Sequence, residues 1–238
     1  MLTFIMVQAR LGSVRFNDKV LKKINNQEII KIQYKRLQKI KSKKKIIFLI
    51  PDNKKNITLR KFLKKNKIEY FLGSEKNVLD RYYQSATEHK AKFIIRLTAD
   101  CPLIDYRLVD KLITLFKKKK VDYVSNIIKR TFPHGMDMEM FTYRTLERLW
   151  KEVKSKDDKE HVTSYLVKNK NNFSTKNFIN SKNQSSYRIT VDYAEDLRVI
   201  SKIINHFKKN IYFSSNQIVN FLKNNSDVTK LNKIFKLY

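Results

Sequence analysis

An α/β fold with a mostly parallel central sheet and flanking helices is predicted by two observations. Short apolar, β-branched runs alternate with longer amphipathic stretches through the first half of the chain, the pattern of β-α-β units. Strand-like runs also end repeatedly in an acidic residue just ahead of a helix start. Open α/β sheets bind their ligands beyond the carboxyl ends of the strands, so residues following Val7, Leu97 and Val191 carry extra weight.

Taken in order, Thr3 to Val7 is the first strand, followed by a helix over Ile29 to Ile40 and a strand over Lys45 to Ile50. Leu59 to Lys65 and Ile68 to Leu72 repeat the alternation, and then come a helix from Val78 to His89 and a strand from Phe93 to Leu97. A helix from Leu108 to Lys118 and a strand from Val121 to Ser125 complete the regular part. After Asn126 the rhythm breaks into a loop, a strand over Met138 to Phe141, helices over Arg144 to Val153 and His161 to Lys168, and strands near Phe173 and Arg188. Asn177 to Ser186 is polar and irregular, a loop composition. From Ser214 onward Ile218, Val219, Leu222, Leu231, Ile234 and Phe235 recur at helical spacing, and this tail is expected to pack against the sheet and carry no chemistry.

At 238 residues the chain can bury a sizeable core, and residues 1–238 read as one domain. The lone Cys101 excludes an internal disulfide and a four-cysteine zinc site, which suits a reducing cytoplasm. MLTFIMVQAR lacks a basic leader and a cleavage site, and no apolar run approaches the ~20 residues of a membrane span. A soluble protein without membrane insertion is expected. The formal charge of +30 proposes a polyanionic partner. Its carriers are mostly lysines spread over nearly every helix among Asn and Ile, without the arginine and aromatic pairs of a base reader, so no specific nucleic-acid partner is expected. A nucleoside triphosphate would still be attracted at long range.

Three clusters can carry chemistry. Gln8 to Lys19, QARLGSVRFNDK, follows the first strand and can wrap phosphates: Gly12 permits close backbone approach, Ser13 donates a hydroxyl, Arg10 and Arg15 offer planar forks and Lys19 a point charge. The Walker spacing is absent, and on these residues alone a solvated basic loop fits equally well. In RLTADCPLID, Asp100 stands beyond a strand where a carboxylate could hold Mg²⁺, while Asp105 reads as the cap of the following helix. In RITVDYAEDL, Asp192 could be a second ligand, although a helix cap is the better local reading. Glu195 and Asp196 suit the first helical turn through the helix dipole alone.

Together, QARLGSVR with Lys19, TADCPLID and TVDYAEDL resemble the spore-coat-polysaccharide type of cytidylyltransferase, related to 3-deoxy-manno-octulosonate and acylneuraminate cytidylyltransferases. GSEKNVLDRY (73–82), DYVSN (122–126), FPHGMDMEMF (132–141) and EHVT (160–163) extend the resemblance over most of residues 3–200. It implies a glycosyltransferase-A-like nucleotidyltransferase fold, CTP as donor, Mg²⁺ as cofactor, and a sugar or sugar-acid hydroxyl attacking the α-phosphate with pyrophosphate leaving, in surface polysaccharide synthesis. Carried over, Gln8, Ala9, Arg10, Gly12, Ser13, Arg15, Lys19, Asp80 and Arg81 fall on the nucleotide, with cytosine against the backbone of Gln8 to Arg10. Arg15, Lys19 and Asp100 are the implied catalytic groups, and Asp100 and Asp192 the metal ligands. Asp137, Glu139, Glu160 and His161 lie on the acceptor side, within a segment, 126–186, that also implies the dimerisation arm of a homodimer. No role is assigned to His134. Where the family has proline and glycine before the loop lysine, this chain has Asn17 and Asp18. Both can take a left-handed backbone, but Asp18 adds negative charge beside the triphosphate. The rival readings are a basic nucleic-acid-binding protein and a glycosyltransferase on the same fold; against the latter, Thr98-Ala99-Asp100 offers one acid where such an enzyme typically shows Asp-x-Asp.

Overall fold

The computed structural model describes residues 1–208 and 210–235; Lys209 and residues 236–238, the end of the predicted tail, lie outside the described residues. Strand β1 (Thr3–Gln8) leads through a short hairpin, β2 (Lys23–Ile24) and β3 (Gln27–Glu28), into helix α1 (Ile29–Gln38). Then follow β4 (Lys44–Pro51), α2 (Ile57–Lys65), β5 (Tyr70–Gly73), α3 (Val78–Glu88), β6 (Phe93–Thr98), α4 (Tyr106–Lys119) and β7 (Tyr123–Ser125). Beyond these lie β8 (Glu139–Thr142), α5 (Tyr143–Glu152), α6 (Lys156–His161), α7 (Ser164–Lys168), β9 (Thr175–Asn177), α8 (Ala194–His206), α9 (Ser215–Asn224) and α10 (Ser226–Lys230).

The main sheet has seven strands in the order β5-β4-β1-β6-β8-β7-β9. Its first four strands are parallel, as the β-α-β rhythm predicts. β8 enters between β6 and β7 and runs antiparallel to both, which is where the rhythm breaks after Asn126. The segment 126–186 therefore supplies two strands, β8 and β9, to this sheet. Side chains alternate across β1 as the strand period requires: Ile5 and Val7 join the core under α1, α4, α8 and α9, whereas Phe4 and Met6 join the core under α3 and α5. Both faces are covered, which explains why the strands read as unbroken apolar runs.

Two predicted elements differ. The strand near Arg188 is a single bridge to His134. The helix expected over His161 to Lys168 is cut short: His161 ends α6 and only Ser164–Lys168 is helical beyond it, because Val162 adopts φ 58° and the backbone cannot continue helically through it.

Candidate active site

The site is built where β1 and β6 end side by side. Val7 pairs with Leu97 and Gln8 with Thr98, and the ladder continues one bond further through Ala99 N–H to Gln8 O at 3.0 Å. The loop that leaves β1 is thereby set against the turn carrying Asp100. It is pinned outward by Leu11 N–H donating to Asn56 Oδ1 at 2.8 Å. Gly12 has φ +79°, a region that favours glycine. Asp18 has φ 51°, a left-handed backbone that its short polar side chain tolerates, as expected from the sequence. A 3₁₀ turn over Lys19–Leu21 follows and buries Lys19.

Lys19 is the centre of the site. Its ammonium donates to Asp100 Oδ2 and to Asp192 Oδ1, each at 2.8 Å. The two carboxylate oxygens consequently lie no more than 5.6 Å apart, twice that contact, although 92 positions separate the residues. Burial pulls the Lys19 pKa down, but the attraction of both carboxylates outweighs it and holds the group above its ordinary value. Burial pushes Asp100 up, while Lys19 and the Thr98 hydroxyl outweigh that and hold it below the usual carboxylate range. The neighbouring Cys101 thiol is buried between Thr98 and Thr190 and is pushed far up by that burial, so it is no nucleophile.

Asp192 is no helix cap. Its carboxylate accepts from Lys19, from Arg15 Nη2 at 3.0 Å and from Arg188 Nη2 at 3.0 Å. The capping work falls to Asp196, which accepts from the N–H groups of Asp192 at 2.9 Å and Tyr193 at 3.1 Å. Asp196 is fully buried and also binds the Arg188 guanidinium through Nε at 2.8 Å and Nη2 at 2.9 Å. Burial alone would raise the Asp196 pKa; these donors outweigh it and lower it. Arg188, Asp196 and Gly135 are the residues sequence reasoning missed. Gly135 sits at φ +107°, and a Cβ there would lie 2.6 Å from the Ile189 carbonyl carbon and the Thr190 nitrogen. The backbone that carries Asp192 thus packs directly on this glycine. An arginine within the apolar run ahead of Asp192, in a chain dominated by lysine, was the available signal for Arg188.

A cleft of ≈ 210 Å³ opens beside these groups, lined by Gln8, Ala9, Arg10, Ser13, Arg15, Lys19, Val20, Val78, Arg81, Thr98, Ala99, Asp100, Glu160 and His161. Gln8 Oε1 and Arg81 Nε are buried polar atoms with no hydrogen-bond partner among the described residues. Arg81 is 2% exposed and its pKa is lowered to about 10 by that burial. Unmet buried polar groups are costly, so an acceptor and a donor waiting beside one cleft point to a polar ligand. Glu160 lies 3.6 Å from Arg10 with both side chains about half exposed, a pairing worth ~1 kcal/mol at most and readily exchanged for a ligand. His161 Nε2 lies 3.4 Å from Asp157.

Four expected site residues lie elsewhere. Asp80 turns outward to accept from Trp150 Nε1 at 2.9 Å and Gln84 Nε2 at 3.1 Å. Glu139 is enclosed by Arg96, Tyr123 and Thr163, with 3% of its side chain exposed, so it ties the sheet together and does not line the cleft. Asp137 pairs with Arg130 outside the cleft. Gly12 shapes the loop without lining the cleft.

Residues 4–218 match the cytidylyltransferase family. The chain belongs to that family. It is accordingly a nucleotidyltransferase. An uncharacterized protein of Methanocaldococcus jannaschii, MJ1063, is 33% identical over 231 residues, 95% of this chain and 93% of the relative. The spore coat polysaccharide biosynthesis protein SpsF of Bacillus subtilis is 26% identical over 93% of this chain and 94% of its own length. A cytidylyltransferase structure from Leptospira borgpetersenii superposes with a TM-score of 0.92 at 28% identity, covering 99% of this chain and 98% of the other. A CMP:2-keto-3-deoxy-manno-octonic acid synthetase complexed with CTP shares the fold at TM-score 0.69 and 13% identity, over 87% of this chain and all of the other. No helix among the described residues is long and apolar enough to cross a membrane.

Proposed function

We propose that this cytidylyltransferase moves the cytidylyl group of CTP to a hydroxyl of a sugar or sugar acid, releases pyrophosphate, and holds Mg²⁺ on Asp100 and Asp192. The observation that carries the reading is the pair of carboxylates meeting on the Lys19 ammonium at the mouth of a cleft walled by Arg10, Ser13 and Arg15. The donor set fits the metal. Mg²⁺ takes one or two protein carboxylates and fills its remaining positions with phosphate oxygens and water, and these two already converge on one cation. Bound there, Mg²⁺ would supply neutralisation of the charge that develops on the phosphoryl oxygens.

The chain's own residues then have separate tasks. Arg15 and Lys19 offer charge-assisted donors to the triphosphate, and the rigid seat of Lys19 positions the α-phosphate for in-line attack. The unmatched Gln8 oxygen and Arg81 N–H suit a base edge with both donors and acceptors, as cytosine has. Glu160 and His161, exposed at the cleft, are assigned to the acceptor side. We further infer a homodimer that uses part of 126–186, and a cytoplasmic location.

Pyrophosphate release measured across the four nucleoside triphosphates, with a panel of sugar acids and sugar phosphates, tests the reading. CTP is expected to be used best and only with a divalent cation; preference for ATP or GTP overturns it.

A further inference from the structure

We propose that the C-terminal segment Asn232–Phe235 is a positioning clasp for Asp192, an inference that rests on the cytidylyl-transfer reading above. Asn232 is buried, and its carboxamide donates to Asp196 Oδ1 at 2.8 Å and to the Arg188 backbone oxygen at 3.2 Å. Both acceptors belong to the group that orients Asp192: Asp196 holds the Arg188 guanidinium, whose Nη2 reaches Asp192 Oδ2 at 3.0 Å. Without Asn232, the Arg188 carbonyl loses that side-chain donor and one oxygen of Asp196 loses one of its two, so the guanidinium is freer to tilt.

Phe235 closes the same group from outside. Its ring lies flat on that of Tyr193, next in sequence to Asp192, with centroids 3.8 Å apart and planes 4° from parallel. The Arg188 guanidinium carbon is 5.9 Å from both centroids, and that of Arg15 is 5.4 Å from Tyr193. Phe235 is only half buried and takes no part in the apolar core, so its stacking serves the Asp192 loop. Both residues fall beyond 218, where the family match ends. The tail expected to carry no chemistry therefore reaches the site, and its role is to hold a ligand-binding carboxylate still, as partners behind a metal ligand do.

The test compares wild type with Asn232→Ala, Phe235→Ala and Phe235→Tyr in the full chain. It measures melting temperature, CTP affinity without divalent cation, Mn²⁺ affinity by water-proton relaxation with CTP present, and kcat. Expected are near wild-type CTP affinity for both alanine variants, near wild-type melting for Phe235→Ala and melting lowered by a few degrees for Asn232→Ala, with Mn²⁺ affinity and kcat lower by ~10-fold or more in both, and recovery with tyrosine at 235. Should Asn232→Ala fail to fold, Phe235→Ala decides alone. Wild-type-like Mn²⁺ affinity and kcat in the variants overturn the clasp by itself. A wild-type chain that binds no CTP overturns the functional reading and the clasp with it.

Discussion

Replacing Lys19 by methionine keeps most of the buried stem and removes the charge between Asp100 and Asp192. Their oxygens, at most 5.6 Å apart, then face each other directly. At an effective dielectric of ~20 that repulsion is about 3 kcal/mol, the low end of the ~3–5 kcal/mol for breaking a buried ion pair. Asp192 keeps Arg15 and Arg188, so the loss falls mainly on Asp100, left with the Thr98 hydroxyl and the weak Cys101 thiol donor. In the wild type, Asp100 has a depressed folded pKa, so its contribution is present above the unfolded value of ~3.9 and lost as pH falls through the folded one. Lys19 has a raised folded pKa; its contribution is full below ~10.4 and lost as pH rises through the folded value. The variant behaves oppositely at low pH. Two facing carboxylates with no cation between them raise the pKa of Asp100, the one left without a cationic partner, so the variant takes up a proton and recovers stability as pH falls toward ~5. Urea unfolding should show a gap of about 3 kcal/mol near pH 7 that narrows to ~1 kcal/mol near pH 4.5. A gap below ~1 kcal/mol at pH 7, or one independent of pH, refutes this account of Lys19.

Arg188→Lys keeps the charge but not the fork that spans Asp192 and Asp196, and should lower kcat by ~10-fold or more with a smaller effect on CTP binding, read by steady-state kinetics. Gly135→Ala drives a Cβ to 2.6 Å from backbone and should destabilise by ~3 kcal/mol or more in urea unfolding, or abolish soluble expression. Asp18→Gly removes a left-handed aspartate and a negative charge beside the loop; it should stabilise by up to ~1 kcal/mol and tighten CTP binding in calorimetric titration.

The parallel half of the sheet was legible because β4, β1 and β6 are covered on both faces and write themselves as apolar runs. Asp105 was legible for a local reason: its carboxylate caps α4 by accepting from Arg107 N–H at 3.0 Å. Asp192 looked like the same kind of residue, yet Asp196 does the capping, and only the fold brings Lys19 from 173 positions away to reveal the difference. Glu139 misled for the opposite reason. A charged residue in a recognised block suggested a ligand contact, whereas Arg96, 43 positions earlier, claims it. The break at Val162 carried no glycine or proline to announce it. Asn232 belongs with these. Nearby Leu231, Ile234 and Phe235 recur in the sequence at helical spacing and draw the eye to packing, whereas its partners lie 36 and 44 positions away.

The place of β1 in the sheet bears on how the chain is made. β1 emerges before both of the strands that flank it, β4 and β6, and the second of these ends only at Thr98. At ~5–20 residues per second, the ribosome delivers that partner roughly 5–18 s after Gln8. Throughout that interval an apolar strand has at least one open edge, the condition that invites pairing with other chains. The loop from Gln8 to Lys19 hangs from this strand, so it cannot settle before Thr98 and Asp100 arrive, nor meet Asp192 until the chain has grown 173 residues beyond Lys19. Nascent chains stalled ahead of β6 are therefore the ones to watch for chaperone capture and aggregation.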